Sequence, residues 1–228
     1  MEYSWQRATA EGAVRNETTR EQAWPAAEEV TRDLAPAAQT RPVRDEAQSS
    51  QLVIRAATVT DAPAIAAIGS VGFPAVHNDV VGPTFAAAVV EQTYSIAALT
   101  ECITRCGKAE DAEFLVAEGD GEVLGYLHYD CEGSEPELHR IYVDLERKRA
   151  GIGSALMREL HSRLRPGSSY VLLVAEANTE ARAFYERHGL IVERRVEGPS
   201  HYAAAIGLDL GSPPNFADAL LMRFTKNS

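Results

Sequence analysis

Between residues 137 and 164, a short strand pattern leads through a basic, glycine-containing loop into an amphipathic helix pattern. The strand, Leu138 to Val143, contains β-branched and aromatic residues and follows a proline. The loop carries the run Arg147-Lys148-Arg149 and continues into Gly151-Ile152-Gly153. Aliphatic residues then recur at every fourth position on one helix face, at Ile152, Leu156, Leu160 and Leu164. This order of strand, loop and helix points to an α/β fold.

A loop of this composition at the start of a helix is suited to binding an anion. The first amides of a helix have no partner within the helix and lie at the positive end of its dipole. Glycines remove the Cβ atoms that would keep a phosphate away from the backbone, so that successive N–H groups can converge on it. Flanking Arg and Lys side chains add charge-assisted contacts. The loop is therefore predicted to hold a phosphate group.

Two other interpretations of the Gly-x-Gly pattern must be weighed. One is an ordinary glycine-tolerant turn with a solvated basic loop. The other is the dinucleotide-binding fingerprint, which fits poorly because Leu156 replaces its third glycine and because Asp144 to Ala150 separate strand from glycine, where a tight turn is required. Only Glu176, at the end of the next strand, favours the dinucleotide site.

The whole arrangement resembles the GNAT family of acetyl-CoA-dependent N-acetyltransferases. The phosphate loop of that family, Arg/Gln-x-x-Gly-x-Gly/Ala, is matched by Lys148-Arg149-Ala150-Gly151-Ile152-Gly153, with Lys148 as a departure that supplies a point charge in place of a planar fork. A second family signature follows in the run Asn178-Thr-Glu-Ala-Arg-Ala-Phe-Tyr185-Glu-Arg-His-Gly189-Leu190.

The resemblance implies a fold and a cofactor site. The fold is the α/β GNAT fold, a mixed, mostly antiparallel sheet of about seven strands flanked by about four helices, over residues 51–228. The strands that carry the two motifs should separate, with the pantetheine arm of acetyl-CoA between them. The implied cofactor-binding residues are Ile141, Tyr142 and Val143 for the pantetheine and acetyl carbonyl, Lys148, Arg149, Ala150, Gly151, Ile152, Gly153 and Ser154 for the pyrophosphate, and Asn178 and Tyr185 on the following helix.

The implied activity is direct transfer of an acetyl group from acetyl-CoA to a primary amine of a small molecule or a peptide. No cysteine lies in either motif, which favours direct transfer over a covalent acetyl-enzyme. Some relatives that acetylate ribosomal-protein N-termini carry a glutamate five residues before the motif asparagine, where this chain has Leu173. The alternative is a catalytically silent GNAT-like module that senses acyl-CoA.

Two catalytic roles follow from the resemblance. Tyr185 is expected to protonate the departing thiolate of coenzyme A. Glu137 is expected to act as general base through water, with His139 or ordered water alone as open alternatives. Because alternate side chains of a strand share a face, Glu137 and His139 should point the same way unless a bulge intervenes.

Composition sets further expectations. The net charge of −11 argues against nucleic acid as the main partner, because binding phosphates requires basic patches.

Three cysteines fit a reducing compartment without a disulfide framework. Cys102 and Cys106 lie one helical turn apart, but with no His at ligand spacing we expect two half-buried thiols and no metal site. No apolar run approaches membrane-spanning length and the N-terminus lacks a secretory signal pattern, so a cytoplasmic protein is predicted. A monomer or homodimer is expected.

Three segments outside the two motifs carry separate expectations. Residues 1–50 are predicted to be an N-terminal extension, disordered or loosely docked, although they contain both tryptophans, Trp5 and Trp24. Gly72 to Pro83 is predicted to be a loop beside the acceptor pocket, with His77 on its surface. Residues 197–218 are predicted to be a long functional loop or a dimer contact between the last two strands.

Overall fold

The computed structural model describes residues 52–131, 135–196 and 218–227. In these residues a single seven-stranded sheet has the order β1-β2-β3-β4-β5-β7-β6. Every neighbouring pair is antiparallel except β4 and β5, which are parallel. The strands are β1 (Val53–Ala56), β2 (Glu113–Gly119), β3 (Glu122–Asp130), β4 (Glu137–Val143), β5 (Ser169–Ala175), β6 (Ile191–Val196) and β7 (Ala219–Thr225). The predicted mixed, mostly antiparallel sheet is confirmed.

Five α-helices flank the sheet within the described residues, where about four were predicted. They are α1 (Ala62–Val81), α2 (Pro83–Thr93), α3 (Ile96–Cys106), α4 (Ile152–Arg163) and α5 (Thr179–Arg187). The additional helix comes from the region between β1 and β2, where α1 and α2 meet at Gly82. This glycine has φ of 80°, a left-handed value that favours glycine.

The predicted loop from Gly72 to Pro83 is wrong, because α1 continues through it to Val81. Gly72 and Pro74 resemble turn signals, but the glycine has a packing role. A Cβ on Gly72 would lie 2.8 Å from Cδ1 of Tyr142, and one on Gly69 would lie 2.3 Å from Cδ1 of Tyr94. The glycines of α1 therefore allow the helix to approach two tyrosines closely, and they do not interrupt it.

The sheet separates two large hydrophobic clusters in the described residues, and the alternation of side chains along a strand assigns residues to each; a third, small cluster contains Val171, Val196 and Leu221. On β2, Phe114 and Val116 face the cluster beneath α1, α2 and α3, whereas Leu115 and Ala117 face the cluster beneath α4 and α5. The first cluster also contains Ile65, Phe73, Leu99, Ile103 and Tyr126, and the second contains Leu156, Met157, Leu160, Tyr170 and Met222.

The turn between β2 and β3 confirms the predicted hairpin. Asp120 and Gly121 both have positive φ values, 55° and 77°, as a tight two-residue hairpin turn requires. The hairpin leads directly into β4, so the strand that carries the phosphate loop has an antiparallel neighbour on one side and a parallel neighbour on the other.

One helix has the length and composition that could cross a membrane, contrary to the sequence expectation. It comprises Val59–Asp79, which includes most of α1. In the structure Ala62, Ile65 and Phe73 of this helix are buried in the core cluster, and α1 packs against α2, α3 and β3. Length and composition alone are weak evidence for a membrane span, because core helices of folded domains can share them.

Two expectations fall largely outside the described residues. The N-terminal extension, residues 1–50, lies wholly outside them. The connection between β6 and β7 lies outside them over residues 197–217. The boundary predicted at residue 51, and the roles suggested for both segments, stay predictions.

Candidate active site

The two strands that carry the sequence motifs separate from each other. In the described part of the chain the ladder between β4 and β5 contains one pair, Glu137 with Val171, supported by the bond from Val171 N–H to the Pro136 carbonyl at 2.9 Å. Beyond this point β4 continues along β3, and β5 continues along β7. A gap therefore opens between Ile141–Val143 and the C-terminal half of β5, as the resemblance implied.

A cavity of about 1010 Å³ occupies this gap. It extends along β4, the basic loop, the start of α4 and one face of α5, and it reaches the wall formed by α1. Of the predicted cofactor-binding residues, the cavity is lined by Ile141, Tyr142, Val143, Lys148, Arg149, Gly151, Ile152, Gly153, Ser154, Asn178 and Tyr185, and also by the predicted base Glu137. Ala150 is the exception, since it does not line the cavity.

The backbone of the basic loop is held by local hydrogen bonds. The Asp144 carboxylate accepts from the Glu146 N–H at 3.0 Å and begins a short 3-10 turn at Leu145–Arg147. Two positive φ values follow, 66° at Arg149 and 81° at Gly151, and α4 then begins at Ile152. No side chain caps the first amides of α4 in the described residues. These amides, together with Lys148 and Arg149, form a cationic end of the cavity suited to phosphate.

The structure gives Gly153 a second role. An ideal Cβ at this position would lie 3.4 Å from Cζ of Phe184 and 3.7 Å from Cγ2 of Val143. Gly153 therefore lies where α4, α5 and β4 approach one another, and any side chain there would enter the space between the loop and α5.

Helix α5 brings its two predicted residues to the same cavity. Asn178 precedes the helix, and its Oδ1 accepts from the Ala181 N–H at 3.0 Å, which makes it the N-cap. Tyr185 is half-buried and packs against the cluster beneath α4 and α5, with the ring of Phe184 edge-on at 5.3 Å. The capping role of Asn178 fixes the start of α5, and two turns later Tyr185 lies against the gap.

At the other end of the cavity, Glu137 and His139 lie side by side. His139 Nδ1 is 3.7 Å from Oε1 of Glu137, and His139 Nε2 is 2.9 Å from Oδ1 of Asp130. Burial alone would lower the pKa of His139, but the hydrogen bond and charge of Asp130, together with the charge of Glu137, raise it overall. Asp130 is itself buried, so its carboxylate fixes the orientation of the imidazole.

A β-bulge produces this arrangement. Arg140 pairs with His128 and Leu138 pairs with Tyr129, so His139 is the additional residue on β4. The bulge anticipated from the sequence does intervene, yet the side chains of Glu137 and His139 both line the cavity. Bulges of this kind direct a side chain away from strict alternation, which is frequent beside active sites.

Aromatic side chains form the cavity wall on the α1 side. Phe73 stacks on His77 at 4.4 Å, and the Tyr142 hydroxyl lies 3.4 Å from Nε2 of His77. His77 was expected on the surface of a loop, but it belongs to α1 and is partly enclosed, and burial lowers its pKa to about 4. Tyr94 meets Tyr142 edge-on at 6.2 Å and carries the guanidinium of Arg140 over its ring at 5.3 Å.

Four residues that line this cavity, Asp130, His128, Tyr94 and Arg140, were not predicted from the sequence, whereas Phe73 lies in the segment that was expected beside the acceptor pocket. A usable signal exists for two of them, because His128 and Asp130 alternate as polar residues at the end of an otherwise apolar strand. Tyr94 follows α2 and Arg140 lies on β4, and only the tertiary fold brings these two side chains together at the cavity.

Comparison with known proteins identifies a domain family. Residues 110–190 match the family model described as acetyltransferase (GNAT) domain. A protein of Mycobacterium tuberculosis, strain H37Rv, named "Probable N-acetyltransferase Rv2775", is 32% identical over 84 residues, which cover 35% of this chain and 47% of that protein. The chain thus spans about half the length of this curated relative.

Solved structures share the fold at low sequence identity. PaiA N-acetyltransferase from Thermoplasma acidophilum, in complex with coenzyme A, has a TM-score of 0.59 at 19% identity and covers 78% of this chain and 99% of its own. YncA from Salmonella typhimurium, with its cofactor acetyl-CoA, has a TM-score of 0.59 at 18% identity, with 78% and 96% coverage. The ribosomal-protein-S18-alanine N-acetyltransferase from Escherichia coli has a TM-score of 0.54 at 20% identity, with 78% and 96% coverage.

Proposed function

This chain carries a GNAT acetyltransferase domain, and on that premise we propose that it transfers the acetyl group of acetyl-CoA directly to a primary amine of a small-molecule or peptide acceptor. The observation that carries the proposal is the cavity, which joins the basic loop before α4 at one end to the Glu137–His139 pair at the other. Coenzyme A and acetyl-CoA accompany two of the similar structures, and the gap between β4 and β5 is suited to the same cosubstrate.

The cosubstrate would bind in an extended form along β4. Its pyrophosphate would accept hydrogen bonds from the amides of residues 149–154, with Lys148 and Arg149 adding positive charge. Its pantetheine arm would replace β5 as the hydrogen-bonding neighbour of Ile141–Val143, because β5 has already diverged there. The thioester would then lie between Tyr185 and the end of the cavity that contains Glu137 and His139, which we call the acceptor end.

The reaction itself needs two proton transfers. The amine nitrogen attacks the thioester carbonyl carbon, and its excess proton passes to the Glu137–His139 pair, directly or through water. The tetrahedral intermediate collapses, the C–S bond breaks, and the departing thiolate takes a proton from the Tyr185 hydroxyl. The Tyr185 phenolate then recovers a proton from solvent and the Glu137–His139 pair releases one, which restores the enzyme. Asp130 does not contact substrate in this scheme, and it acts as a positioning residue for His139.

Direct transfer is supported by the position of the cysteines. Cys102 and Cys106 are buried, Cys131 is exposed, and none of the three lines the cavity. A covalent acetyl-enzyme would require a nucleophile beside the thioester.

A panel of amine acceptors tests this function. The full chain is incubated with acetyl-CoA and polyamines, amino acids, aminoglycosides and peptides, and released coenzyme A is measured as free thiol. We expect saturable release with one acceptor class. Tight binding of acetyl-CoA in calorimetry, without release for any acceptor, would instead identify the silent acyl-CoA sensor.

A further inference from the structure

A group of metal-ligating side chains lies behind the acceptor end of the cavity. Cys102 and Cys106 lie one turn apart on α3, and His128 reaches them from β3. One ligand atom from each of the three residues lies within 4.8 Å of the others, and all three residues are buried. None of them has a role in the acetyl transfer proposed above.

We propose that Cys102, Cys106 and His128 form a binding site for a thiophilic divalent cation, with Zn²⁺ as the natural occupant. A donor set of two thiolates and one imidazole favours zinc over the other common biological divalent cations. Three protein ligands leave the fourth tetrahedral position to a solvent molecule.

The separation between Cys102 and His128 is close to that of two ligands in a tetrahedral zinc centre. Zn–S bonds of about 2.3 Å and Zn–N bonds of about 2.0–2.1 Å require an S···N separation of about 3.6 Å between two ligands. Cys102 Sγ lies 3.8 Å from Nδ1 and 3.4 Å from Nε2 of His128. Cys102 and His128 are thus already spaced as two ligands of one ion, and the Cys106 thiol lies within 4.8 Å of a donor atom of each.

The surroundings of His128 select which nitrogen would bind the ion. Its Nε2 lies 3.1 Å from Oδ2 of Asp130, and Arg140 Nε donates to its Nδ1 at 3.4 Å. A carboxylate at Nε2 and a donor at Nδ1 both favour the tautomer with the proton on Nε2, so the lone pair is on Nδ1. A metal-binding histidine characteristically donates its other N–H to a carboxylate, and Asp130 supplies that carboxylate here.

Two arginine side chains lie beside the thiol of Cys102. Arg105 Nη2 is 3.8 Å and Arg140 Nη2 is 4.0 Å from Cys102 Sγ. An ion at Nδ1 would displace the long Arg140 contact, and Arg140 would keep the Thr93 carbonyl, which it reaches at 3.4 Å.

An entry path to the cluster exists on the protein surface. A second, smaller cavity of about 220 Å³ is lined by Cys106, Asp130 and Arg105 together with the exposed Cys131. An ion could therefore reach the thiol of Cys106 without crossing the acetyl-CoA cavity.

Metal analysis tests the site directly. The full chain, without a histidine tag, is produced in zinc-supplemented medium, dialysed and analysed by elemental mass spectrometry. We expect one zinc per chain in the wild type and in Cys131→Ser, the matched thiol control outside the cluster. In Cys102→Ser/Cys106→Ser we expect a loss to about a tenth or less, and in Asp130→Asn an affinity lower by about 10- to 100-fold.

A second measurement needs no variant. Apoprotein is titrated with Co²⁺, and we expect thiolate-to-cobalt charge-transfer absorption that saturates at one ion per chain and is abolished by Zn²⁺. Folded wild-type protein that gives no such absorption, or zinc content equal in the wild type and the double variant, overturns the proposal. Neither measurement involves acetyl transfer, so this proposal and the proposed function can fail separately.

Discussion

The Nε2 atom of His139 lies 2.9 Å from Oδ1 of Asp130, and this contact joins a buried carboxylate to an imidazole that lines the cavity. Asp130 ends β3 and His139 is the bulged residue of β4, so the pair depends on the register shift between the two strands. The bulge therefore places a fixed imidazole beside Glu137, at the end of the cavity where the acceptor amine would enter.

Replacing Glu137 tests the general base. Glu137→Gln keeps the shape but cannot take a proton, so we expect the acetylation rate at neutral pH to fall by about 100-fold or more. The rate should recover partly at high pH, where free amine is abundant. A flat, wild-type pH profile would assign the proton transfer to His139 or to water. Glu122→Gln, on the exposed start of β3, is the control for loss of one carboxylate.

The strands and the two motifs could be predicted because their signals are local. The hairpin at Asp120-Gly121, the continuous apolar run of β5 and the glycine loop each depend on neighbouring residues, and each is confirmed in the fold. The loop predicted within α1 was wrong because the requirement for glycine there is not local. Gly72 resembles a turn residue, but its small size is required by Tyr142, which lies 70 residues later in the sequence.

The cluster behind the site could not be predicted from spacing. Cys102 and Cys106 indicated a possible pair, but His128 is 26 residues from Cys102 and on another element. Only the packing of α3 against the sheet brings the imidazole to the thiols. The stacking of Phe73 on His77 and the contact of His77 with Tyr142 could not be predicted either, because both require α1 to be helical throughout.

Replacing Gly153 tests the phosphate loop. Gly153→Asp adds a side chain and a negative charge beside the predicted pyrophosphate position, so we expect acetyl-CoA binding to be lost in calorimetry while circular dichroism is unchanged. Gly153→Ala is the matched control, because its Cβ meets Phe184 at 3.4 Å without adding charge. We expect the alanine variant to retain measurable binding. Unchanged affinity of the aspartate variant would contradict the assignment of this loop.

Asp61 predicts an acid dependence of stability. Arg55 donates two hydrogen bonds to its carboxylate, both at 2.8 Å, and these lower its pKa from 3.8 to about 2 despite burial. Because the folded pKa is below the unfolded value, this stabilisation is complete above about pH 4 and is lost as the pH falls through about 2.

Asp61→Asn should therefore lower the free energy of unfolding at pH 7 by about 1–2 kcal/mol, with the difference from wild type shrinking below pH 4. Urea unfolding across this pH range is the measurement. Glu118→Gln removes the other, more exposed partner of Arg55 and should cost less, about 0.5 kcal/mol. Equal losses in the two variants would contradict the special weight given to Asp61.

Tyr185 gives the sharpest test of the chemistry. Tyr185→Phe keeps the half-buried ring in its cluster and removes only the hydroxyl. If Tyr185 is the acid that protonates the thiolate, the Tyr185→Phe variant should lose about 100-fold or more in kcat with little change in acetyl-CoA binding.

Tyr170→Phe is the matched control. It removes a hydroxyl from the same cluster, where that hydroxyl contacts His161 at 2.9 Å, away from the cavity. We expect that variant to lose about 1 kcal/mol of stability and to keep its kcat. If chemistry is rate-limiting and Tyr185→Phe stays within about threefold of wild type, its hydroxyl does not supply the proton.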